Sequence, residues 1–417
     1  METKVDLLII GGGPAGLSAG IRAKELGIGS VLVVEQGASL GGILNQCIHN
    51  GFGLHTFKEE LTGPEYAHRL IQRAEALEVP TLLETTVVAL SKEKVARLQS
   101  PQGIWDIEAQ AVILAMGSRE RPRGAIQIPG TRPAGVFSAG SAQELVNLQG
   151  HKIGNEAVIV GSGDIGLIMA RRLTLEGTKV LGVVEKMPHS SGLRRNMVQC
   201  LDDFGIPLHL NHTVSRIFGH ERVEGVNIAK VENGKIVPDS ERFVACDTVL
   251  FSVGLIPENE LSLGAGIALD RTTKGAVVDS HLETSVAGIF ACGNALHVHD
   301  LVDNVSLEAY EAVRHVKAYL DGDSVKKLLP VEFDGTIRYV VPQSINAAGE
   351  MLDTQFKFRA SSVFKNVRVS MFVDGENVFS RHFRVITPGE LETVVVKQPV
   401  MERVKTATNV VLKIEEG

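Results

Sequence analysis

Two glycine triads and two acids carry the first chemical signal in this sequence. Gly11, Gly13 and Gly16 stand as G-x-G-x-x-G, with Glu35 nineteen residues after the last of them. Gly161, Gly163 and Gly166 repeat the triad 150 residues on, and Glu185 repeats the acid at the same spacing. A tight strand-to-helix turn needs the first glycine of such a triad. Close approach of backbone to a pyrophosphate needs the second, and packing of helix against strand needs the third. The acid falls where a carboxylate takes both hydroxyls of an adenosine ribose. Two unrelated turns do not share that acid spacing by chance, so the chain is expected to bind two dinucleotides. Glu185 would repel a 2′-phosphate and so favours NAD(H) over NADP(H) at the second site. Lys186, His189, Arg194 and Arg195 follow it and work against that preference.

Each triad needs a strand before it and a helix after it. The apolar run at 5–10 reads as a strand buried on both faces, and helix formers continue from Ala15 to Leu26. The N-terminus of that helix offers unpaired N–H groups and a positive dipole end to phosphates. A second strand at 30–34 delivers Glu35. The second motif repeats the order, with a strand from Ala157, a helix to about Glu176 and a strand at 179–184.

Between the motifs, 43–53 has no periodicity but holds Asn45, Gln46, Cys47, His49 and Asn50. Thr62 and Glu65 form a capping box that opens a helix to about Glu78. Strands are expected at 81–83 and 86–90, an edge hairpin at 104–107, and a buried strand at 111–115 ending in Met116-Gly117. Further on, a strand at 247–251 leads into Gly254, another covers 289–291, and 294–304 reads as an irregular loop. A helix is expected from Val305 to Leu320. Beyond Leu329 the pattern alternates with period two, and Asp374-Gly375 marks a hairpin. Those last ninety or so residues suggest a small antiparallel sandwich for docking or oligomerisation, removable without loss of dye reduction.

With 417 residues, a formal net charge of −7 and ordinary apolar content, the chain suits a multidomain globular protein. The charge argues against nucleic acid as the main partner. No stretch is long enough for a membrane segment, and the expected location is cytoplasmic. Cys47, Cys200, Cys246 and Cys292 are scattered without C-x-x-C or metal-ligand spacing, so reduced thiols are expected. His297, His299 and Asp300 have weak ligand spacing, and the expectation is no metal.

Residues 7–16 with Glu35, the 114–117 strand end, the second motif with Glu185, and TSVAGIFACGN at 284–294 together resemble a known family. These are the two-dinucleotide-binding-domain flavoproteins, which include NADH oxidases, ferredoxin reductases and disulfide reductases. The resemblance covers roughly residues 1–325, with its four motifs in family order. It implies an α/β fold with two Rossmann-like, three-layer dinucleotide-binding domains. The FAD domain would be 1–122 and 255–328, the inserted NAD domain 123–254, and the small C-terminal antiparallel β domain 329–417. It implies FAD at Gly11, Gly13, Pro14, Ala15, Gly16, Glu35, Gly42, Gly117, Gly293, Asn294 and Val305. NAD(H) would lie at Gly161, Gly163, Asp164, Ile165, Gly166, Glu185 and Gly254. Asn294 stands where most of the wider family has aspartate on the flavin ribityl chain, and an amide still bonds a hydroxyl. The helix from Val305 would aim its positive end at the flavin N1–C2 edge, where charge grows on reduction.

Cys47 and His49 fall where the family chain passes beside the isoalloxazine, as candidate catalytic residues supplying a proton or meeting an acceptor. Alternatively Cys47 packs as a small apolar residue and His49 bonds a loop carbonyl. Cys47 has no partner cysteine in its segment, so a dithiol relay is not available and disulfide reduction is not expected. The strings QCIHNGFG, GLRRN and CGNALHVHDLVD are similar to NADH-oxidase-like and dye-linked dehydrogenase subunits, which accompany a second flavoprotein resembling glycerol-3-phosphate dehydrogenase. The expected activity is an oligomeric, diaphorase-type NADH dehydrogenase or oxidase passing electrons to oxygen, a dye or a second flavoprotein. Two alternatives remain: one component of a dye-linked amine, amino-acid or glycerol-3-phosphate dehydrogenase, and a flavin-bearing assembly or sensor protein.

Overall fold

The computed structural model describes residues 3–417. By their contacts these form two compact units, residues 3–118 with Pro257–Gly417, and Arg119–Ile256. The first unit is built on a seven-stranded sheet. Its centre is β1 (Lys4–Ile10), followed by α1 (Pro14–Glu25) and β2 (Val31–Val34), with β1 and β2 parallel and Leu7 opposite Val31. Thr62 caps α2 (Gly63–Ala76) and Glu65 returns a bond to the Thr62 N–H, so the expected capping box is present. The hairpin expected at 104–107 is present, but its second arm runs on as β3 (Gly103–Leu114), a 12-residue strand inside the sheet rather than at its edge. Its first half pairs antiparallel with Val95–Ser100 and its second half parallel with β1, because its apolar alternation gives way to a continuous buried run at Ala111.

The second unit repeats this plan. β4 (Glu156–Val160), α3 (Asp164–Leu175) and β5 (Lys179–Glu185) reproduce the opening triplet, in a five-stranded sheet whose paired strands run parallel. β6 (Thr248–Phe251) lies beside β4 as β3 lies beside β1. A four-stranded antiparallel sheet completes the unit. The chain enters and leaves it through the short strands Ser118–Glu120 and Leu255–Pro257.

After β7 (Ile289–Ala291), which pairs with β3, comes α4 (Val302–Leu320). This helix starts three residues before the expected Val305, taking in the end of the expected loop. Residues 329–417 form two sheets of five and three strands around their own core of Phe356, Phe358, Met371 and their neighbours. One pair departs from the antiparallel expectation, since Leu328–Phe333 runs parallel to Val410–Glu416. The three-stranded sheet is centred on β8 (Thr354–Ala360). Tyr339 and Val341 from this region sit in the core of the first sheet, and the segment groups with the first unit by its contacts. Among the described residues no helix is long and apolar enough to cross a membrane.

Candidate functional site

The two glycine loops share one backbone plan. The Gly11 N–H donates to Val34 O and the Gly161 N–H to Val184 O, both at 2.8 Å. Gly11 has φ +109° and Gly161 φ +93°, in the region where a side chain is strained. A Cβ on Gly11 would run into the Ala115 carbonyl, and one on Gly161 into the Ser252 carbonyl. The third glycines differ slightly: a Cβ on Gly16 would strike Gly11 O, whereas one on Gly166 would meet Ser252 Cβ at 2.6 Å and Gly161 O at 3.0 Å. Gly13 is different in kind. A Cβ there would find only Gly42 Cα, at 3.9 Å, so the space above it is free for a ligand backbone to approach. That open cradle at the N-terminus of α1, with Pro14 and Ala15 in its first turn, fits a pyrophosphate. In the second loop Asp164 does more than line the turn. Its Oδ1 accepts from the Leu193 N–H at 2.8 Å and from Asn196 Nδ2 at 2.6 Å, tying the 193–196 segment to α3 beside Ile165.

Both acids grip their own loops. Glu35 accepts from the Gly12 and Gly37 N–H groups at 2.7 Å each. Glu185 accepts from Ser162 N at 3.0 Å, Ser162 Oγ at 2.7 Å and Met187 N at 2.9 Å. Each carboxylate is thereby fixed at its strand end. Spacing alone does not disclose this second function of the acid, although the residue two positions beyond each acid is plain in the sequence.

The remaining residues expected to hold FAD lie in the first unit. Gly293 has φ +66°, and a Cβ on it would meet Ala15 Cβ at 3.0 Å and Val305 Cγ1 at 3.1 Å, so these three come together. Asn294 Oδ1 accepts from the His299 N–H at 3.0 Å, which orients the amide so that its NH₂ end is the outward donor. Gly42 lies against Gly13 and Gly117 lies in open space with φ +74°, as does Gly254 with φ +101° in the other unit. Val305 is not at a helix end as expected. Asn304 N already bonds Leu301 O, so the unpaired first-turn donors belong to Val302 and Asp303. No sequence pattern singles out Asp303. Its buried carboxylate accepts from the N–H groups of Gly53 at 3.1 Å, His55 at 3.2 Å and Thr56 at 2.7 Å, pinning the aperiodic 43–57 segment to α4.

Cys47 is half-buried, and its Sγ–H donates to Ile43 O at 3.3 Å. Burial pushes its pKa up to about 12, so the neutral thiol is the form present near pH 7 and a thiolate nucleophile is not. His49 stacks at a tilt against Phe52, with ring centroids 5.0 Å apart. Cys200, Cys246 and Cys292 are buried, in keeping with a core role.

His297 and His299 do not join Asp300. Asp300 pairs with Arg359, while each histidine donates through Nε2 to Glu308, at 3.0 Å in both cases. Lys357 Nζ lies 2.5 Å from Glu308 Oε1, and the Gly293 N–H donates to Oε2 at 2.7 Å. His297, His299 and Glu308 hold ligand atoms within 4.8 Å of one another. The lysine ammonium in contact with the carboxylate repels a second cation there, so the group is an ion-pair cluster rather than a metal centre. Burial opposes the charge on Glu308, but Lys357, His299 and His297 together outweigh it and keep the carboxyl well below its usual range. Burial, helped by His299, pushes His297 down to about 3. Burial and His281 also lower His315, stacked on His281 with centroids 4.3 Å apart.

Acid sensitivity follows. A histidine neutral in the fold takes up a proton on unfolding below about pH 6.5. The unfolded state then binds more protons, so stability falls as pH drops through that window. The slope is about 1.4 kcal/mol per pH unit for each such histidine. Melting temperature measured from pH 8 to pH 4 should fall steeply below pH 6.5, and a flat profile would contradict neutral His297 and His315.

Comparison with known proteins agrees with this geometry. A profile of the family described as pyridine nucleotide-disulphide oxidoreductase matches residues 5–315. Dihydrolipoyl dehydrogenase of Pseudomonas aeruginosa is 30% identical over 326 residues, 70% of this chain and 66% of that protein. An opine oxidase subunit of Agrobacterium tumefaciens is 26% identical over 312 residues, 69% of this chain and 61% of its own length. The chain thus aligns with less than two thirds of either relative. Thioredoxin reductase of T. acidophilum shares the fold, with TM-score 0.63 at 22% identity over 76% of this chain and 99% of that one. The chain belongs to the pyridine nucleotide-disulphide oxidoreductase family, whose members are FAD- and NAD(P)H-dependent oxidoreductases.

Proposed function

We propose that this chain is a diaphorase-type NADH dehydrogenase, holding FAD on the first glycine loop and NAD(H) on the second. The observation that carries this reading is the pair of matched loops, each with an acid clamped at the strand end that follows its helix, the first with an open approach over Gly13. When bound, the flavin supplies hydride acceptance and onward electron transfer. The chain's own residues position it. Gly13 would admit the pyrophosphate, Glu35 would take the ribose hydroxyls, and the Asn294 amide would donate to the ribityl chain. The first-turn donors of α4 favour the charge that develops on reduction. Disulfide reduction is disfavoured because Cys47 lacks a second cysteine and stays a neutral thiol.

A dehydrogenase that works beside a partner flavoprotein is the second reading. The similarity to a protein named as one component of an oxidase favours it, as do exposed Ile43 and Leu54 flanking the Cys47 segment. Anaerobic stopped-flow mixing with NADH decides between them. Bleaching of the flavin band at micromolar NADH supports the dehydrogenase, and NADPH should require a concentration at least roughly tenfold higher because Glu185 repels its 2′-phosphate. A flavin that stays yellow with NADH overturns the first reading and moves the choice to the partner's organic substrate.

A further inference from the structure

Strand β8 has two chemically opposite faces. Phe356 and Phe358 are fully buried in the C-terminal core. Lys357 and Arg359 alternate with them and so project from the other side of the sheet. Each meets an acid in the stretch that follows Gly293. Arg359 lies 2.5 Å from Asp300 and also donates to Val298 O at 3.3 Å. Lys357, only 7% exposed, reaches Glu308, only 2% exposed. Glu308 in turn receives the Gly293 N–H, at the glycine that packs against Ala15 and Val305.

The charges around Glu308 decide what Lys357 is for. Two imidazoles and one peptide N–H donate to the carboxylate, and among the described residues Lys357 is the one lysine or arginine bonded to it. A buried carboxylate without such a cation is strongly disfavoured. Both imidazoles have Nδ1 buried without a hydrogen-bond partner, and each is committed to Glu308 through Nε2. Cys292 also faces Glu308 and Lys357, and its thiol is pushed upward, so it takes no part. Asp300 is engaged by Arg359, and Asp303 by the 53–56 backbone.

We propose that Lys357 is a positioning residue for the flavin: by neutralising Glu308 it locks the Gly293 turn and frees cofactor binding from any dependence on histidine protonation. The inference rests on the reading of Gly293 and Asn294 as flavin contacts. It makes the C-terminal segment part of the cofactor site, contributed by a strand some sixty residues from the turn it holds.

Removing the lysine leaves His297, already bonded to Glu308, as a group that can restore the charge. Its proton is retained at low pH and lost as pH rises, and with it the pairing of Glu308. The test is equilibrium binding of FAD to the full-length apoprotein between pH 6 and pH 9, followed by flavin fluorescence. Wild type and Lys357→Arg should give dissociation constants that do not change with pH. Lys357→Met should match them near pH 6 and weaken at higher pH by up to roughly tenfold per unit, the limit for one linked proton. The double variant Glu308→Gln/Lys357→Met, which removes both charges, should be flat again. A purely structural lysine would lower the melting temperature without tilting the binding curve, so a flat Lys357→Met profile overturns the proposal. Should Lys357→Met fail to fold, the double variant decides: binding with a flat profile supports charge neutralisation, and equal failure overturns it. Wild type that takes up no FAD overturns the flavin reading itself, an outcome distinct from a flat variant profile.

Discussion

A Gly11→Ala protein is expected to purify without flavin, whereas Gly161→Ala should purify yellow and resist bleaching by NADH. The two substitutions are chemically identical and meet nearly identical obstacles. Each forces a Cβ into a backbone carbonyl, of Ala115 or of Ser252, at a φ near +100°. A carbonyl fixed by its own strand cannot give way as a flexible side chain would. Overpacking costs about 1–3 kcal/mol and backbone strain about as much again, roughly 2–6 kcal/mol together. Applied to NADH binding, even the lower figure raises the half-bleaching concentration roughly 30-fold. Flavin content by absorbance and anaerobic NADH titration read the two effects separately. Loss of flavin in both variants would show that the loops do not serve separate cofactors.

Deleting residues 329–417 should abolish soluble flavoprotein rather than yield an active, unassembled enzyme. Tyr339 and Val341 would leave the first core, and Glu308 and Asp300 would each lose their cationic partner. Breaking one buried ion pair by removal of a partner costs about 3–5 kcal/mol. That alone approaches the roughly 5–15 kcal/mol that stabilises a typical domain. Expression of the 1–328 chain, with flavin content and circular dichroism, checks the expectation; a folded, dye-reducing fragment would restore the view of the segment as a separable docking module.

Much of this was legible in the sequence because local constraints wrote it there. The glycine triads, the Thr62 capping box and the Asp374-Gly375 hairpin each depend on residues a few positions apart, and each takes the form expected. The start of α4 was not legible. Val302 and Asp303 look like loop residues until Asp303 is seen to accept from a segment 250 residues earlier in the chain. The same holds for Glu308, an ordinary helix acid in the sequence. Its partners come from Gly293, from two histidines on a loop and from β8, and no local pattern joins them. The period-two pattern beyond Leu329, which takes in Phe356 to Arg359, announced a strand correctly, but which face met a core and which met acids depended on tertiary partners alone.

The grip of Glu185 on its own loop bears on any effort to redirect this protein toward the phosphorylated nicotinamide. If Glu185 takes the ribose hydroxyls as proposed, exchanging it for a neutral or basic side chain is the direct way to admit a 2′-phosphate. Here the exchange also deletes three hydrogen bonds that shape the loop at Ser162 and Met187. Selectivity and loop architecture are therefore inherited together. A successful redesign would have to replace Ser162 in the same step, with a residue that holds its turn unaided.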